Sequence, residues 1–92
     1  MMEWIRHQTR ILDGADVTDI PSLHRQLKEK LSLPDYYGGN LDALYDCLTE
    51  MSGTIRIYHL SGLRRSLGAY ADKLLRVFRD SESEYLHFEF FD

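Results

Sequence analysis

Residues Pro34 to Leu48 read PDYYGGNLDALYDCL. Pro34 ends whatever regular structure precedes it, and Gly38-Gly39 give the chain a flexible entry into the next segment. Asn40 is a good N-cap, so a helix is expected over Leu41 to Met51. On that helix Leu41, Leu44, Leu48 and Met51 cluster on one side, joined by Cys47. Asp42, Asp46 and Thr49 fall on the other, with Tyr45 at the border. Ser52-Gly53 is the expected stop.

Working outward, DIPSLHRQLKEKL (Asp19–Leu31) reads as a helix, with Asp19 or Ser22 as cap and Pro21 in the first turn. Ile20, Leu23, Leu27 and Leu31 recur at helical spacing as its buried stripe. Upstream, a strand is expected within Trp4 to Leu12, closed by the turn Asp13-Gly14-Ala15-Asp16. Downstream, Thr54 to Leu60 alternates as a strand, with Ile55 and Ile57 on one face and Arg56 and Tyr58 on the other. Ser61 to Leu67 suggests a short helix. GAYADKLLRVFRD (Gly68–Asp80) is a strong amphipathic helix through Tyr70, Leu74, Val77 and Phe78. Tyr85 to Phe91 is the last strand, with Leu86, Phe88 and Phe90 on one face. Strands alternating with helices imply an α/β parallel sheet. Because the strands alternate rather than run apolar throughout, a two-layer arrangement with helices on one side of the sheet is expected.

Ninety-two residues suit one domain, residues 1–92, and a hydrophobic fraction of 43% argues against disorder. The formal net charge of -4 disfavours nucleic acid and anionic membranes as partners and favours basic ones. The one cysteine, Cys47, permits no internal disulfide. No signal-peptide run or transmembrane stretch is apparent, so a cytoplasmic location is expected.

Two features bear on function. Asp42 and Asp46, four residues apart, share a helix face at a cost of a few tenths of a kcal/mol (~0.2–0.5) from like-charge repulsion. Asp42 recovers some of this near the positive end of the helix dipole. A solvated face is the ordinary reading of such a pair. Here Tyr36, Tyr37 and Tyr45 flank the acids and Gly38-Gly39 bare the backbone, as a surface that grips a basic cleft requires. Asp80 ends a helical pattern where the dipole disfavours it by roughly 0.3–1 kcal/mol; the alternative is a helix already frayed at that point. His7, His24, His59 and His87 show no ligand spacing, and no phosphate loop is present, so neither metal nor cofactor is expected. Cys47 reads as a small core residue, not a nucleophile. Arg64-Arg65, Lys73, Arg76 and Arg79 are interspersed with acids, as on a mixed surface.

The longer stretch LPDYYGGNLDALYDCLT, Leu33 to Thr49, closely resembles the signature of the barstar family, intracellular inhibitors of a secreted bacterial ribonuclease. The likeness extends upstream through ILDGADVTDIPSLHRQLKEKLSL and downstream through LLRVFRD to the last strand. It implies a three-stranded parallel sheet in the order 1-2-3, with helices packed on it. It also implies a non-enzymatic mechanism, in which the second helix and the loop before it plug the active site of a small basic ribonuclease as a 1:1 complex. By resemblance, Asp46 stands for a substrate phosphate and Asp42 engages a guanidinium and backbone of the partner. Tyr36 stacks near the enzyme's catalytic histidine. Gly38, Asn40 and Leu41 lie in the contact, Tyr45 and Thr49 border it, and Asp80 adds a distal salt bridge. The free protein is expected to be a monomer.

Some positions depart from the family's eponymous member. Gly39 and Tyr45 stand where it carries Glu and Trp, Glu50 and Met51 where it carries Gly and Trp, and Asp80 where it carries Glu. A competing reading keeps the fold but turns the surface toward a different basic protein. A third, a hydrolase using Asp42 and Asp46 as an acid/base pair, lacks any pocket to raise either pKa.

Overall fold

The structure is a computed structural model describing residues 8–92. In chain order the elements are β1 (Thr9–Asp13), a 3-10 turn (Gly14–Asp16), α1 (Ile20–Lys30), α2 (Leu41–Leu48), β2 (Gly53–Tyr58), α3 (Leu60–Leu67), α4 (Ala69–Ser81) and β3 (Leu86–Phe90). The strands form one parallel sheet in the order β1-β2-β3. Each parallel neighbour requires a long crossover, and a pair of helices supplies each one. Residues 4–7 of the expected first strand lie outside the described residues.

Register explains the layering. Leu12 lies opposite Ile57, and Ile55 opposite Phe88, so the apolar positions of all three strands share one face. Against that face pack Leu23 and Leu27 of α1, Leu44 and Leu48 of α2, Leu63 of α3, and Leu74 and Phe78 of α4, all fully buried. The other face carries Ile11, Arg56 and Glu89 in one row. Arg56 Nε meets Glu89 Oε1 at 2.8 Å, and Tyr58 stacks on Phe91 at 4.8 Å between centroids. Among the described residues the helices cover one side of the sheet, as its alternation implies.

The caps follow from local chemistry. Asp19 accepts the Ser22 N–H at 2.9 Å while Ser22 Oγ accepts the Asp19 N–H at 3.0 Å, a reciprocal capping box that uses both candidate caps. Gly14 is required by packing: a Cβ there would lie 2.3 Å from the carbonyl oxygen of His59. His59 takes a left-handed backbone (φ 57), which ends β2 two residues before the expected Leu60 and lets α3 begin at Leu60. At the outer edge of β3 the turn before the strand folds back on it. Leu86 N–H donates to Ser83 Oγ, Phe88 N–H to Glu82 Oε2, and Leu86 O accepts the Ser83 N–H.

Two further expectations need correction. Ile20 is 42% exposed and outside the core, because helical spacing shows which residues share a side but not how far the opposing layer reaches. Phe90 shares the face of Leu86 and Phe88, as expected, and is 43% exposed at the last position of an edge strand. Helix α2 ends at Leu48, not Met51: Thr49 caps it, Glu50 and Met51 tighten into i to i+3 bonds, and Gly53 opens β2 instead of stopping the helix.

Candidate protein-binding surface

The loop from Pro34 to Asn40 and the helix that follows carry most of the expected site. Asn40 caps α2 as its sequence suggests, its Oδ1 accepting the Ala43 N–H at 2.8 Å. From that start Asp42 and Asp46 project into solvent, with Tyr45 exposed beside them and Leu41 half-buried. Among the described residues none of the ion pairs involves Asp42, Asp46 or Asp80. Thr49 Oγ1 donates to the Asp46 carbonyl at 2.8 Å, so this hydroxyl is engaged by the end of its own helix. Gly38 is exposed, and Gly39 has a left-handed backbone (φ 70) with open space around its Cα, so conformation rather than crowding favours glycine there.

The loop is fastened from beneath. Leu33 is buried, its N–H bonded to the Lys28 carbonyl at 2.9 Å, and Lys28 Nζ reaches the Asp35 carbonyl at 3.3 Å. Tyr37 turns inward, its hydroxyl 2.6 Å from His24 Nδ1, while His24 Nε2 lies 2.8 Å from the hydroxyl of Tyr70 on α4. This network is satisfied when Tyr70 donates to Nε2 and Nδ1–H donates to Tyr37. The Tyr37 proton then points at the Asn40 carbonyl, 3.5 Å away. Burial holds His24 below the usual imidazole range and pushes the Tyr37 and Tyr70 phenols up. A neutral imidazole, 6% exposed, thus joins α1, the loop and α4. Sequence reading missed this role, because a histidine beside a leucine stripe gives no sign of partners 13 and 46 residues away.

Helix α4 continues through Ser81, so Asp80 sits in a formed last turn, not a frayed end. Together with Asp42 it lines a groove between α2 and α4. Eight of the expected residues, Tyr36, Gly38, Asn40, Leu41, Asp42, Tyr45, Asp46 and Thr49, lie on the loop, the helix and its C-cap. Asp80 comes to them from the other end of the chain. Burial pushes the Cys47 thiol up, toward the protonated and unreactive form. Among the described residues no group of three or more His, Cys, Asp or Glu side chains could hold a metal ion, and no helix is long and apolar enough to cross a membrane.

The three-stranded parallel sheet backed by helices, with an acidic helix entered from a Tyr-Tyr-Gly-Gly loop, is consistent with a barstar-like α/β fold. The family model described as "Barstar (barnase inhibitor)" matches residues 7–90, and the chain belongs to that family. It is 44% identical over 77 residues to the Bacillus subtilis (strain 168) protein named "Putative ribonuclease inhibitor YrdF", covering 80% of this chain and 85% of that one. Barstar proteins are inhibitors and not enzymes, which agrees with reading this chain as non-catalytic.

Proposed function

We propose that this chain inhibits a small basic ribonuclease, as a single domain binding 1:1 in the cytoplasm, by seating α2 and the Pro34–Asn40 loop in the enzyme's active-site cleft. The observation that carries this reading is the pair of exposed carboxylates, Asp42 and Asp46, without cationic partners among the described residues, beside a loop already fastened to the core. A ribonuclease cleft is built for phosphates. A carboxylate held on a helix can occupy a phosphate pocket yet offers no bond to cleave, so Asp46 blocks the site without being turned over. Asp42 takes a guanidinium at the cleft edge, Tyr36 stacks near the enzyme's catalytic histidine, and Tyr45 and Thr49 border the contact. Charge complementarity raises association rates above the neutral range of about 10⁵–10⁶ M⁻¹s⁻¹, a rule measured in part on this family's own eponymous complex. Because the loop is bonded to His24, which Tyr70 holds in turn, little ordering remains to oppose binding.

Calorimetric titration of the protein into a panel of barnase-type ribonucleases, at low and high salt, tests the proposal. Tight, salt-sensitive 1:1 binding is expected. Asp46→Ala should weaken it by about 2 kcal/mol or more, and leave the melting temperature unchanged. Equal losses of affinity and stability in that variant would overturn the site assignment. Absence of binding to every enzyme would shift the reading to a module for a different basic protein.

A further inference from the structure

The groove between α2 and α4 that holds Asp42 and Asp80 also holds two cations. Lys73, Arg76 and Asp80 follow one stripe of α4 at spacings of three and four residues, and with Asp42 they surround a floor formed in part by Leu41 and Val77. A fifth charge in the groove, Asp72, is occupied by Arg64 at 2.7 Å. Among the described residues neither Lys73 nor Arg76 has an acidic partner. Both side chains are exposed, so nothing in the core requires their charge. The acids of this surface call for a cationic partner, and two cations set among them would repel it. Like charges brought together at an interface are costly, and that cost is a means of rejecting wrong partners.

The geometry points to Lys73 and Arg76 as specificity determinants that receive an acidic side chain of the partner, next to the cation taken by Asp42 and Asp80. The groove then reads a pair of opposite charges on the cleft rim, and a ribonuclease whose rim is uniformly basic is disfavoured. This inference rests on the inhibitor reading and adds to it which enzymes are accepted.

A charge swap tests it. The probe is a barnase-type ribonuclease that the unmutated protein binds, with each acidic residue on the rim of its cleft replaced in turn by Lys. One such replacement should weaken binding by about tenfold or more. The Lys73→Glu/Arg76→Glu double variant should bind the parent enzyme correspondingly worse and recover affinity for that same replaced enzyme. Thermal melts of the double variant should match the unmutated protein, since both positions are exposed. Tight binding with no replacement that couples to the double variant, or a double variant that binds every enzyme better, would overturn the inference alone. If the unmutated protein binds none of the enzymes, the inhibitor reading falls and this inference with it.

Discussion

At Tyr36 and Tyr37 one peptide bond separates a ring that is 87% exposed from one drawn inward onto His24, itself bonded to Tyr70. The sequence presents the two tyrosines as a pair; the structure gives them different surroundings. Tyr36 is free to stack on a partner, so Tyr36→Ala should weaken ribonuclease binding on the order of tenfold or more, with an unchanged melting curve. Tyr37 holds the loop, and Tyr37→Phe removes a buried hydroxyl from a network that then lacks one partner. A stability loss of about 1–3 kcal/mol is expected, read by urea denaturation, together with weaker binding because the loop is less ordered beforehand. Identical behaviour of the two variants would contradict this division.

At the scale of elements, α2 was the most legible part of the chain. Its cap, its acids and its apolar side are local features: Asn40 bonds three residues on, and the spacing of Leu44 and Leu48 fixes the buried side. Asn40→Ala should therefore cost about 1 kcal/mol, as loss of a cap does, and Leu44→Ala about 2–5 kcal/mol from the cavity left behind. Denaturant midpoints would rank them. What the sequence left unread is what depends on distance across the fold. Ile20 and Phe90 share a side with core residues but lie beyond the reach of the opposing layer. The anchoring of the loop by His24 depends on partners brought together only by packing α1 against α4. A broken local rule singles out Asp80 in the sequence, but its neighbourhood with Asp42 exists only in three dimensions.

For the molecule as a whole, acid acts in two separable windows. The folded pKa of His24 lies below its unfolded value, so the unfolded chain binds the proton more readily. Stability is full above about pH 6.5 and falls as pH drops below it. Asp13 and Asp92 are shifted the opposite way relative to their charged forms. The Ala15 N–H and His59 lower the first, and Ser61 the second. Their contribution is complete above about pH 3.9 and is lost as pH falls through their depressed values. Urea midpoints measured across this range should decline first near neutrality, and His24→Gln should flatten that first decline while leaving the lower one in place. A third consequence concerns the hydrogen bonds that Glu82 and Ser83 make along β3. Copies of a parallel sheet can polymerise end to end only if each offers a free strand at both borders. Here one border is already stoppered by its own chain, so a ribbon begun at β1 has nowhere to continue. The protein can thus reach high concentration without its sheet edge seeding fibres.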